Sequence, residues 1–240
     1  YRPRRIKTDI ENNRLYVICD SEEGGAGVSN RFIIYDILDQ LYPVVFGSIG
    51  LGTGLFPTDF VVHDTLVYAF QNSSGSVLGI SPTGVVTVKS AFSSGARHNA
   101  MKIYGNNLFL CGTKIGGLKD TAFVDVWDIS NVTPTLLDRF KNAPMSSFNG
   151  IDVYENQVFL VSENNHVALL NFVGDSLTLD KYYKIEGEDG SSYLYPFEKT
   201  KGVVLKTDNT VLVGSSASKY LFEFSFPEFN LIRSQEIDSN

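Results

Sequence analysis

A short phrase, a polar turn followed by an apolar strand, recurs five times in this chain. It reads NRLYV (13–17), DTLVY (64–68), NNLFL (106–110), NQVFL (156–160) and NTVLV (209–213). With Leu15, Leu66, Leu108, Val158 and Val211 as anchors, the spacings are 51, 42, 50 and 53 residues. A period of roughly 40–50 residues built only of strands is the sequence signature of a β-propeller blade. Each repeat parses into four strands separated by Gly, Pro, Ser, Asn and Asp, without sustained helical periodicity. The chain is therefore read as all-β: a β-propeller of five four-stranded blades, with part of a six-bladed ring as the alternative. The blades run 6–49, 58–92, 99–141, 149–185 and 202–237, within one domain of 240 residues.

The anchor phrase forms the second strand. Tight turns at Asn12-Asn13, Asp64-Thr65, Gly105-Asn106-Asn107, Glu155-Asn156 and Asp208-Asn209 introduce it, because Asn, Asp and Gly tolerate the positive φ of a two-residue hairpin. The third strands, such as RFIIYDI (31–37) and FVDVWDI (123–129), alternate apolar and small or polar positions, so that flanking side chains meet the next blade. The fourth strands carry Lys, Asp, Arg and Gln, as a polar edge should. The first strands are read as innermost, the first of them spanning 6–12.

Composition narrows the function classes. With 43% hydrophobic residues, 17 Phe and 12 Tyr, there is material for a sizeable core. A net charge of −7 argues against a nucleic-acid partner. No run of about 18 apolar residues exists to span a membrane. Arg2, Arg4, Arg5 and Lys7, around Pro3, are expected to form a solvated N-terminal arm. The start at Tyr1, without Met or a charged-then-apolar leader, is read as a processed or trimmed product. Cys19 and Cys111 fall in repeats that are not neighbours. They are expected to be buried, unpaired thiols, which suits a reducing compartment without demanding one.

The third and fourth strands VDVWDISNVTPTLLDRF (124–140) and IIYDILDQLYPVVFGSI (33–49) share a strand, an Asp, a short polar turn, a Pro and a closing strand. This text resembles the LVIVD-type propeller repeat. The likeness is confined to repeats one and three; Gly79, Asn171 and Ser225 stand in place of the Asp in the others. The resemblance implies a propeller of the kind common in exported or surface-associated prokaryotic proteins, with no shared catalytic residues to carry over. Trp127-Asp128 is a single WD dipeptide with no Gly-His partner.

Function in a propeller belongs to the connections on one face. Arg97, His98 and Asn99 open one first strand, and Phe148 and Asn149 open the next. They could hold an anion or a sugar hydroxyl, or simply line a hydrated channel. In the longest connection (186–201), Tyr193, Tyr195 and Phe197 flank Pro196 as candidate interface anchors, with burial between blades as the other reading. Asp9, Asp59 and Asp152 on first strands are candidate acids for glycoside cleavage. They do not share a register, which favours a solvated or strand-capping role. GLGTG (50–54) lacks the helix a phosphate loop requires and is read as a connection. His63 lies at the far end of its strand from the other histidines, His98 and His166, so no metal cage is expected. No catalytic residue, metal or cofactor is assigned. The sequence points to a non-enzymatic binding or scaffold propeller recognising a protein or a glycan. A propeller hydrolase or lectin-like carbohydrate binder with a channel-mouth pocket is the alternative.

Overall fold

The computed structural model describes residues 2–20, 30–52, 57–114, 121–142, 147–162, 166–184, 202–206, 210–214, 220–225, 228 and 230–236. Twenty strands run through them in chain order. They form five antiparallel four-stranded sheets, each with its strands side by side in the order in which the chain makes them. Sheet 1 comprises β1 (Arg2–Asp9), β2 (Arg14–Asp20), β3 (Arg31–Asp36) and β4 (Val44–Gly50). Sheet 2 comprises β5 (Pro57–His63), β6 (Leu66–Gln71), β7 (Ser74–Ile80) and β8 (Val86–Ser93). Sheet 3 comprises β9 (Arg97–Tyr104), β10 (Asn107–Lys114), β11 (Thr121–Asp128) and β12 (Thr135–Asn142). Sheet 4 comprises β13 (Phe148–Tyr154), β14 (Gln157–Ser162), β15 (His166–Val173) and β16 (Ser176–Lys184). Sheet 5 comprises β17 (Gly202–Lys206), β18 (Thr210–Gly214), β19 (Tyr220–Ser225) and β20 (Leu231–Glu236). The chain divides into two compact bodies, residues 1–98 with 131–133, and 99–130 with 134–240.

The five anchor phrases are β2, β6, β10, β14 and β18. The turns before them take the backbone that their residues favour. Asn13 (φ 53°), Asp64 (φ 53°), Gly105 (φ 56°) and Glu155 (φ 52°) all lie in the left-handed region. Each turn is then used a second time. The N–H groups of Ile37, Ile80, Ile129 and Phe172, at or just past the ends of the third strands, donate to the turn carbonyls of Asn13, Thr65, Asn106 and Asn156. The Asp of the 33–49 and 124–140 texts has a plain local job: Asp36 accepts the Leu38 N–H (2.9 Å) and Asp128 the Ser130 N–H (2.9 Å). Hydroxyls do the same where the Asp is missing or displaced, Ser81 for the Val85 N–H and Ser225 for the Asn230 N–H.

Period-two alternation sorts side chains onto two faces. In sheet 4, Val158, Leu160, Ala168 and Leu170 join Phe109, Val124 and Val126 in one core. Their alternates Phe159, Val161, Val167 and Leu169 join Val211, Val213, Phe222 and Phe224 in a second. Burial on both faces explains the unbroken apolar run VFLV at 158–161. In the first body, Tyr16, Ile18, Phe32 and Ile34 of sheet 1 pack on Phe60, Val67, Ala69 and Leu78 of sheet 2. Each such side chain contributes about 1.5–3 kcal/mol on burial. Cys19 and Cys111 are buried and form no disulfide, as expected from sequence.

The N-terminal basic segment departs from the expected solvated arm. The first strand begins at Arg2, ahead of the anticipated residue 6, and pairs with β2 as far as Arg2 opposite Asp20. What draws it in is Asp20, 1% exposed, which accepts Arg2 Nη2 at 3.0 Å and Arg4 Nε at 2.5 Å. Desolvation pushes the Asp20 carboxyl up, but the hydrogen bonds and charges of Arg2 and Arg4 outweigh it and hold the group below its usual value.

A register shift recurs between the third and fourth strands of all five sheets. Just beyond it on the fourth strand stand Gly47, Ser90, Asp138, Lys181 and Arg233, opposite Ile34, Val77, Val126, Leu169 and Glu223. Four of these five reach the turn before a later fourth strand or that strand's first residues. Gly47 lies so close to Gly84, in the turn before β8, that a Cβ on either would strike a backbone carbonyl. Ser90 Oγ donates to the Val132 carbonyl at 2.7 Å, within the first body. Asp138 Oδ2 accepts the Leu177 N–H at 2.7 Å and the Ser176 hydroxyl at 3.3 Å. Lys181 Nζ donates to the Glu228 carbonyl at 3.1 Å.

Candidate functional site

A second kind of bulge opens three of the first strands. Pairing skips Arg4 in sheet 1, Thr58 in sheet 2 and Asn149 in sheet 4. A bulge leaves one residue out of the ladder and re-aims its side chain. Here it presents a polar group at the head of each strand: Arg4 toward Asp20, Thr58 toward the Phe70 carbonyl (3.2 Å), and Asn149 toward Asn99.

Asn149 belongs to the most developed polar cluster, in the second body. The Asn99 amide Nδ2 donates to Ser147 Oγ (2.8 Å), the Phe148 carbonyl (2.9 Å) and Asn149 Oδ1 (3.0 Å). Ser147, 2% exposed, bonds Thr113 Oγ1 at 2.6 Å and Asn149 Oδ1 at 3.0 Å. Beneath it the Cys111 thiol donates to the Phe148 carbonyl at 3.7 Å. The network fixes both amides and leaves Asn99 Oδ1, an acceptor, and Asn149 Nδ2, a donor, without a partner among the described residues. Both asparagines are half-buried, so these groups stand at the boundary with solvent.

Of the residues singled out from sequence, the structure brings together Asn99, Phe148 and Asn149. Phe148 is fully buried in the core, so only its carbonyl takes part. Arg97 is exposed at the start of β9. His98 is 1% exposed, set edge-on to Phe70 at 4.4 Å, and its backbone N–H donates to the Asn72 carbonyl. Its ring is thus packed within the first body and not presented to solvent. Tyr193, Tyr195 and Phe197 lie outside the described residues. His166 stacks on Tyr182 at 4.9 Å, and His63 Nε2 lies 3.9 Å from Asp64. Among the described residues no group of three or more His, Cys, Asp or Glu is placed to hold a metal. None of their helices is long and apolar enough to cross a membrane. Sequence reasoning passed over Ser147 and Thr113. Ser147 sits in the polar run just before β13, and Thr113 follows Cys111 near the end of the third anchor strand.

The three first-strand acids are each engaged by a base or an amide. Asp59, 7% exposed, faces Arg5 Nε (3.8 Å) and Lys7 Nζ (3.6 Å), with Lys7 also over the Phe60 ring. Asp152, 8% exposed, pairs with Lys102 Nζ at 2.8 Å. Asp9 caps its own turn through the Asn12 N–H and side-chain amide. Buried carboxylates held by cations are structural ties between adjacent first strands.

No family model matches the chain, and no curated protein matches it. Solved structures do. A functionally unknown protein from Desulfotomaculum acetoxidans superposes with a TM-score of 0.72 at 15% identity, over 97% of this chain and 71% of that one. Saccharomyces cerevisiae Sqt1 gives 0.71 at 9%, over 98% and 63%. A Bacteroides fragilis protein bearing the provisional name 6-phosphogluconolactonase gives 0.67 at 10%, over 97% and 70%. The fold is a β-propeller. At these identities the likeness shows the fold alone, and the chain spans 63% to 71% of the lengths of these three proteins.

Proposed function

We propose that this propeller is a non-enzymatic recognition module that binds a protein or a glycan through one face. The observation that carries this reading is the Asn99–Ser147–Asn149 cluster. Buried hydroxyls and a bulge hold two amides still, with one acceptor and one donor left over at the surface. A fixed amide pair of this kind matches a vicinal diol or a peptide group, each of which offers a donor beside an acceptor. Pre-organisation lowers the entropic cost of binding. The ties between Lys102 and Asp152, and between Lys7 and Asp59, also support binding over hydrolysis, because they occupy the carboxylates a hydrolase would need.

Titration calorimetry against neutral oligosaccharides and uncharged peptides tests the reading. Asn149→Ala removes the outward donor while Asn99 keeps its bonds to Ser147 and Phe148. A ligand bound by the wild type should lose roughly five- to tenfold in affinity, about the worth of one hydrogen bond. Equal affinity for wild type and Asn149→Ala would remove the cluster from the proposal.

A further inference from the structure

Asn149 is the only one of the 17 asparagines in this chain that is followed by a glycine. Gly150 has no side chain to crowd the approach of its backbone nitrogen to the preceding Cγ. The bulge at the head of β13 skips Asn149, so the ladder does not hold this residue opposite a partner. Its side-chain carbonyl is set up as an acyl group facing attack would be. Oδ1 accepts Asn99 Nδ2 at 3.0 Å and Ser147 Oγ at 3.0 Å, and Thr113 Oγ1 donates in turn to Ser147 Oγ at 2.6 Å. Two donors on one carbonyl oxygen stabilise the negative charge that attack at its carbon would place there. The group that would leave, Nδ2, has no partner among the described residues and stands on a half-buried side chain at the boundary with solvent.

We propose that Asn149 is a self-modification site, and that its conversion to a carboxylate resets what the cluster binds. The Gly150 backbone nitrogen attacks Asn149 Cγ and gives its proton to solvent, while the oxyanion forms on Oδ1 between Asn99 and Ser147. Collapse breaks the Cγ–Nδ2 bond; Nδ2 takes up a proton and leaves as ammonia, and a cyclic imide remains. Water opens the ring to aspartate or isoaspartate. Water enters, ammonia leaves, and no oxidant or reductant takes part. In the aspartate product one carboxylate oxygen keeps the bonds to Asn99 and Ser147, and the other replaces the outward donor. Both outward groups are then acceptors, one of them charged. The consequence for binding rests on the recognition role proposed above: a neutral ligand that needs the donor is released, and a cationic donor group is favoured in its place.

Peptide mapping by mass spectrometry, on the folded full chain aged in mildly alkaline buffer, tests the chemistry. Asn149 should convert ahead of every other asparagine. Ser147→Ala should slow that conversion roughly tenfold, about the worth of one hydrogen bond to the oxyanion. In denaturant, where the cluster is gone, wild type and variant should convert at one rate. Thr113→Val, which removes the donor behind Ser147, serves as a second slowing variant should Ser147→Ala lose its strand signal in circular dichroism. An Asn149 that stays intact in the folded chain would overturn the proposal, and so would a Ser147→Ala chain that converts as fast as the wild type or faster. Calorimetry on Asn149→Asp separates the switch from the binding role itself. A neutral ligand weakened by Asn149→Ala should be weakened at least as much by Asn149→Asp. Were it bound by Asn149→Asp as by the wild type, the binding role would stand and the switch would fall.

Discussion

Between sheets 1 and 2 the recurring junction is made of backbone alone. Gly47 and Gly84 approach so closely that neither can carry a side chain, and Gly84 holds φ at +83°. In the second body the same position is polar: a carboxylate, Asp138, takes the Leu177 N–H, and an ammonium, Lys181, takes the Glu228 carbonyl. One geometric requirement, set by the shift in pairing between third and fourth strands, is met sterically at Gly47–Gly84 and by hydrogen bonds at Ser90, Asp138 and Lys181. The steric solution is intolerant of any added atom. The polar one is graded by burial.

The sharpest break of this contrast lies one residue beyond Asp138. Arg139 stands opposite Asp125, which is fully buried, and bonds it through Nε (2.5 Å) and Nη2 (2.6 Å). The bond to Asp125 chiefly raises the Arg139 pKa, with burial opposing. Arg139→Ala should cost about 3–5 kcal/mol in denaturant unfolding by stranding a buried carboxylate. Adding Asp125→Leu should recover most of that loss. Next in size, Gly84→Ala should cost about 2–4 kcal/mol, through left-handed strain and the collision with the Phe46 carbonyl. A loss under about 1 kcal/mol would show that the glycine junction yields and would erase the contrast. Asp138→Ala should cost about 1–2 kcal/mol by removing the partner of the Leu177 N–H. Asp20 supplies the pH-dependent case. Its pKa is lowered on folding, so its contribution is present above the unfolded value of about 3.9 and lost as pH falls below it. Asp20→Asn should therefore flatten acid unfolding below about pH 4, with a cost near 1 kcal/mol at neutral pH. Lys181→Ala, at an exposed bond, should change stability by less than about 0.5 kcal/mol.

The fold was legible because its signal is local. An apolar phrase behind Asn13, Asp64, Gly105 or Glu155 contains both the strand and the turn that starts it, within ten residues. The errors come from distance. Arg2-Pro3-Arg4 reads as a solvated arm until Asp20, sixteen residues on from Arg4, is seen to receive it. The junctions join positions about forty residues apart, such as Ser90 with Val132 and Asp138 with Leu177, and no periodicity reveals them. The candidate site was half legible. Asn99 and Asn149 were selected as strand openers, but a bulge that frees Asn149 leaves no mark in composition. His98 carried a chemical promise that its burial against Phe70 withdraws.

The sequential strand order bears on how the molecule comes into being. Every sheet is a meander of adjacent hairpins, so the pairing within a sheet asks for no distant partner. During synthesis the first four strands can condense before the next four leave the ribosome, and within each body a finished sheet leaves an apolar face for the sheet packed against it. Sheet formation therefore asks only for partners already made, which suits folding as the chain emerges.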